Sequence, residues 1–137
     1  MMDPRLACRF ALAWSLQREW FSNSQLFDVS LYFPTAAECA AHTIFPGVTI
    51  KTCSAAKMML SVVDLAPHAV VEEHAHPHEQ VGMVLEGQAI FWIGSEEKTL
   101  KPGDLYRIPG NVKHRVLALD APVRALDIFC PVREEYR

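Results

Sequence analysis

No run in this 137-residue sequence approaches the ~20 consecutive apolar residues that a membrane-spanning helix needs, so no membrane partner is expected. A positive field is missing as well. The formal net charge is -3, and the Lys and Arg residues are scattered among acids. That leaves no broad surface for phosphates and argues against nucleic acid as a partner. Cysteine pairs are absent: Cys8, Cys39, Cys53 and Cys130 stand far apart, with no C-x-x-C and no zinc-ribbon spacing. They read as reduced thiols, which places the protein in the cytoplasm, with a Cys53–Cys130 bridge as the alternative. A secretion signal is not expected either. The apolar residues 10–16 follow Arg5 and Arg9, but Asp3 interrupts the basic side, and Gln17, Arg18 and Glu19 follow without a small-residue cleavage site. There is no internal repeat and no low-complexity tract.

What is present is the composition of one globular domain, with 50% hydrophobic and 21% charged residues. Residues 6–21 carry an imperfect helical period through Leu6, Phe10, Ala13, Trp14 and Phe21. Residues 1–41 are therefore read as a short helical or irregular extension that packs on the main domain, residues 42–137, or on a partner subunit. From His42 onward short β-branched and aromatic runs alternate with Gly and Pro. Strands are expected at 48–53, 58–65, 70–74, 80–85, 88–93, 98–100, 105–108, 114–118 and 124–129. Turn formers separate them, among them Pro46-Gly47, Glu86-Gly87, Gly94-Ser95, Pro102-Gly103-Asp104 and Pro109-Gly110-Asn111. Many short strands at regular spacing predict an all-β fold, a double-sheet jelly roll or a small barrel. Jelly rolls of this size often pair their open edges, which makes a homodimer the default expectation.

The segment His74-Ala75-His76-Pro77-His78-Glu79-Gln80 places three imidazoles within five residues, beside Glu72 and Glu73. On a strand, residues two apart share a face, so His74 and His76 can converge on one point. A divalent ion there would satisfy both, since neutral imidazole is the commonest transition-metal ligand near neutral pH. A solvated polar strand end is the competing explanation. His78 has the parity of His76, but Pro77 can rotate the chain, and His78 is read as lying beside the ligands or on the surface.

The same segment reads H-x-H-x3-Q-x6-G, ending at Gly87, and residues 103–114 read G-x5-P-x-N-x-x-H, ending at His114. In that order, the two blocks resemble the paired motifs of the cupin superfamily, over roughly residues 42–130. The resemblance implies a double-stranded β-helix jelly roll, the cupin barrel. It also implies one divalent transition metal (Ni, Zn, Mn or Fe) on His74, His76, Gln80 and His114. The sequence departs from the family at His68, Gln80, Asn111 and Ala118. Asn tolerates the left-handed backbone that glycine usually provides. Gln80 matters more: an amide oxygen in place of a carboxylate leaves the ion more positive and removes a base from its ligands.

Residues 124–129 place Ala125, Asp127 and Phe129 on one face. A carboxylate among apolar neighbours is costly unless paired or used, so Asp127 is either half of a structural ion pair or a proton carrier. The ending D-x-F-x-P-x-R, residues 127–133, resembles that of the small pectin-degradation cupins, which linearise cyclic 4,5-unsaturated uronates to keto forms. By that resemblance Asp127 is the acid/base, Phe129 a pocket wall and Arg133 the clamp for the carboxylate of a small acidic substrate. The implied function is metal-dependent isomerase or tautomerase chemistry. A metal-dependent oxygenase and a non-catalytic binding cupin are the alternatives.

Overall fold

Alternation between inward apolar and outward polar side chains decides most of the strands. The computed structural model describes residues 32–34 and 39–137; Cys8 and the helix expected over residues 6–21 lie outside the described residues. Ten strands are present: β1 (Ala40–Phe45), β2 (Val48–Ser54), β3 (Met59–Leu65), β4 (Val70–His74), β5 (Glu79–Glu86), β6 (Ala89–Ile93), β7 (Glu96–Leu100), β8 (Leu105–Ile108), β9 (His114–Ala118) and β10 (Val123–Cys130). Nine are the expected ones within two residues at each end. The added strand, β1, lacks a clear period: its inward positions Ala40, His42 and Ile44 are only half-buried. It is held by its ladder to β2 rather than by a sequence signal.

The strands form two antiparallel sheets, of order β1-β2-β3-β10-β5-β8 and β4-β9-β6-β7. Among the described residues no ladder joins them, so the closed barrel is replaced by an open, two-sheet jelly roll. Their facing sides carry the core, in which Val48, Ile50, Leu65, Val71, Val84, Phe91 and Val123 are buried. Each such side chain contributes roughly 1.5–3 kcal/mol by leaving water. Cys53 and Cys130 sit on the outer side of the larger sheet with β3 between their strands. That separation forbids the bridge, and the thiol of Cys53 adjoins Cys39 instead.

Register along the larger sheet prepares the site. Thr52, Ser61, Asp127, Gly82 and Tyr106 are successive cross-strand partners on β2, β3, β10, β5 and β8. They form a single polar row that faces inward. The next row toward the cavity mouth is Met59, Phe129, Gln80 and Ile108. His68 and Asn111, which replace motif glycines, have φ of 61° and 65°, so both occupy the left-handed region those glycines would otherwise serve.

Candidate metal centre

His74 ends β4 and His114 begins β9, where the two are direct cross-strand partners. His76 keeps the alternation expected of it, buried on the side of His74 while Ala75 between them is exposed. It lies two residues past the end of β4, just before the bend at Pro77 and His78. Its backbone is held there by the Asn111 N–H, which donates to the His76 carbonyl at 2.7 Å. Gly110 permits this close approach, because a Cβ there would overlap the Pro77 carbonyl. The second motif block thus supplies both His114 and the loop that seats His76.

The three rings converge. Their ligating nitrogens lie within 4.8 Å of one another, with ring centroids 4.2 Å apart for His74 and His114 and 5.0 Å for His76 and His114. On each ring Nδ1 faces a backbone carbonyl: Glu72 at 2.8 Å for His74, His78 at 3.1 Å for His76, and Val112 at 2.8 Å for His114. Donation of Nδ1–H to those carbonyls leaves Nε2 bare and directed at the common point, the second-sphere arrangement of metal-binding histidines. Burial supports the neutral form. It pushes His76 down to about 4, helped by the nearby positive charges of Arg133, His114 and His74 and opposed by Gln80. It also lowers His114, against the pull of its Val112 hydrogen bond.

Gln80 faces this cluster from β5. Its Oε1 lies 3.2 Å from His76 Nε2, and its amide also hydrogen-bonds Asp127. Assigned from that network, the amide nitrogen faces the carboxylate and Oε1 faces the imidazoles. A neutral His76 has one N–H, already directed at His78, so its Nε2 and Gln80 Oε1 meet as two acceptors. A cation between them removes that conflict, and the donor set fits a single divalent transition metal. Glu72 and Glu73 are exposed, and Glu73 pairs with Lys113 at 3.3 Å. His78 is half-buried beside His76, at a centroid distance of 5.6 Å, outside the ligand cluster.

The same cavity is lined by His74, His114, Gln80, Asp127, Phe129 and Arg133. Asp127 is 6% exposed, and its carboxylate accepts a hydrogen bond from the Tyr106 hydroxyl at 2.7 Å. Burial raises Asp127 to about 6, although the bonds from Tyr106 and Gln80 and the charge of Arg133 pull it down. Tyr106 is raised in turn, by burial and by the carboxylate it touches. Gly82 makes this pair possible: a Cβ there would overlap both the Tyr106 ring and Asp127 Oδ1. Phe129 sets its ring against His76, at 5.6 Å between centroids. Arg133 pairs with Glu135 at 2.9 Å and lies over the rings of Tyr136 and Phe129, at 4.5 and 5.2 Å.

Tyr106 and Gly82 escaped the sequence reading. The inward parity of Tyr106 with Ile108 was visible, but that β8 neighbours β5, and β5 neighbours β10, is a matter of sheet order that no local pattern encodes.

Comparison with known proteins agrees with this geometry. The Cupin domain family model matches residues 61–129, from the polar row through Phe129. The pectin degradation protein KdgF of Dickeya dadantii (strain 3937) is 31% identical over 80 residues, which cover 58% of this chain and 73% of the relative. KdgF from Halomonas sp. superposes with a TM-score of 0.69 at 27% identity, over 77% of this chain and 98% of that one. An RmlC-like cupin from Shewanella frigidimarina gives 0.70 at 25% identity, over 79% and 97%. By its two motif blocks, its paired sheets and these matches, the chain belongs to the cupin domain family.

Proposed function

We propose that this cupin is a metal-dependent isomerase that linearises small cyclic unsaturated uronates, with His74, His76, Gln80 and His114 as metal ligands and Asp127 as the proton carrier. The observation that carries this reading is the buried Asp127 carboxylate, held by Tyr106 in the wall of the cavity that the histidines also line. When bound by these residues, a divalent ion would supply Lewis-acid chemistry toward an oxygen of the substrate. The reaction itself moves one proton. The anomeric hydroxyl loses its proton, the bond between the anomeric carbon and the ring oxygen breaks, and the resulting enolate takes a proton at carbon to become a ketone. Asp127 accepts the first proton and delivers the second. A carboxyl group lifted toward neutrality by burial suits both halves of that exchange. Gln80 withholds a competing carboxylate from the ligand set.

Arg133 meets the substrate carboxylate, exchanging its present partner Glu135 for it, and Phe129 forms the adjacent wall. An oxygenase needs no such carboxylate in the cavity wall, so Asp127 favours proton transfer. Similarity to the pectin degradation protein KdgF of Dickeya dadantii, and to the structure of KdgF from Halomonas sp., supports the uronate class. Two apolar rows on the outer face of the larger sheet, including the exposed Leu60, Val81, Leu105 and Ile128, support a homodimer. The free thiols of Cys39, Cys53 and Cys130 support the cytoplasm.

The test is metal analysis of the purified protein, followed by turnover of an unsaturated monouronate monitored through loss of its enol-ether absorbance. Turnover by the loaded wild type that vanishes on chelation supports the proposal. Oxygen consumption with the same substrate would transfer it to the oxygenase class.

A further inference from the structure

The polar row across the larger sheet is satisfied everywhere except at one atom. The Thr52 hydroxyl donates to the Tyr136 carbonyl at 2.7 Å, and the Tyr106 hydroxyl donates to Asp127. Between them Ser61 is 1% exposed, and its hydroxyl has no hydrogen-bond partner. Among the described residues three other buried polar atoms also lack partners, on His42, His78 and Arg115. Of these four residues, Ser61 alone lines the metal-centre cavity. It stands directly opposite Asp127 in the β3–β10 ladder, with the apolar Ile50 and Val63 also in the cavity wall.

A buried hydroxyl left without a partner is destabilising, and native proteins rarely retain one that neither water nor a ligand satisfies. Replacement by alanine would remove that cost with little change of shape. Retention of the hydroxyl beside the proton carrier therefore points to an incoming partner. We infer that Ser61 is a substrate-binding group which hydrogen-bonds a ring hydroxyl of the ligand next to the carbon on which Asp127 acts. The inference rests on the uronate reading and deepens it. It calls for a cyclic acid that carries a ring hydroxyl at that position, in preference to simple keto acids and unsubstituted ring carboxylates. Sites built to pair a ligand hydroxyl reject the analogue lacking it, because the protein group is then stranded.

The experiment measures binding, so it is independent of turnover. Zinc-loaded wild type and Ser61→Ala are titrated by NMR with galacturonate and with cyclohexanecarboxylate, which keeps a six-membered ring and a carboxylate but no hydroxyl. The wild type is expected to prefer galacturonate. Ser61→Ala is expected to bind galacturonate at least tenfold more weakly and cyclohexanecarboxylate equally well, with unchanged zinc content and a melting temperature no lower than that of the wild type. Ser61→Cys, similar in shape but a weaker donor, falls between the two. The inference is overturned if the wild type shows no preference, if Ser61→Ala weakens both ligands alike or neither, or if Ser61→Ala melts lower, which would reveal an internal partner. Failure of the uronate reading appears separately, as absent turnover of the unsaturated substrate by the wild type.

Discussion

The two ends of the interior are built on the same strands yet differ in chemistry. At one end the rows of the larger sheet are apolar, with Leu65, Val123 and Val48 in one and Val63, Ala125 and Val84 in the next. One step along each strand toward the mouth, the row becomes Thr52, Ser61, Asp127, Gly82 and Tyr106. Two residues of travel on β3, β10 and β5 thus replace valine, alanine and valine by serine, aspartate and glycine. The change is sharp because period-two alternation keeps every inward position in register with its neighbours. The apolar rows supply stability, and the polar row with the imidazoles beyond it supplies the site. A substitution on either side of that boundary should affect one property and spare the other.

The largest expected effect falls at the mouth. His114→Ala removes a central ring of the cluster, so metal retention and turnover should both fall to background. The measurement is metal content by mass spectrometry after gel filtration, and full metal occupancy in the variant would refute the ligand assignment. Asp127→Asn comes next. It should keep the metal and lose turnover by roughly 10²- to 10⁴-fold, the usual contribution of a positioned acid/base. Unchanged turnover with metal bound would leave Asp127 with a structural role only.

Those two residues also show how far a sequence can be read. His114 was legible because its motif block has fixed spacing, and the strands were legible because alternation is local. Asp127 was legible as a buried carboxylate, but not its partner: Tyr106 reaches it only because β5 separates β8 from β10 in the sheet. Strand parity made the approach of His76 to His74 legible, but not the contact that holds its backbone. The His76 carbonyl is tied to the Asn111 N–H, in a block more than thirty residues later. β1 carried too little alternation to be seen without its partner strand.

At the apolar end the sign of the comparison reverses. Leu65 is 4% exposed within the core, so Leu65→Ala should cost about 2–5 kcal/mol through lost burial and the cavity left behind. Denaturant melts measure that loss, while metal stoichiometry at low temperature should remain that of the wild type. A Leu65→Ala protein that is stable but metal-free would show that the two ends are not separable.

The smallest effect is the most selective, because only the polar end should make stability depend on pH. In the metal-free fold burial raises Asp127 from 3.8 to about 6. The folded protein then holds a proton that the unfolded chain has released, and the stability this provides is fully present below pH 3.8 and lost as pH rises through 6. The difference of roughly two pH units corresponds to about 3 kcal/mol. His76 has the opposite sign. Lowered from 6.5 to about 4, it contributes stability above pH 6.5 that is lost as pH falls through 4. Between pH 4 and 6 the two oppose each other, which flattens the wild-type profile. Asp127→Asn is neutral at every pH and keeps only the histidine component. Melts in the presence of chelator from pH 4.5 to 7 should therefore show Asp127→Asn gaining stability relative to wild type as pH rises, by about 2 kcal/mol. Leu65→Ala should show a deficit independent of pH. A difference for Asp127→Asn that stays constant across the range would mean that the carboxylate titrates normally and that the mouth is wetter than its burial implies.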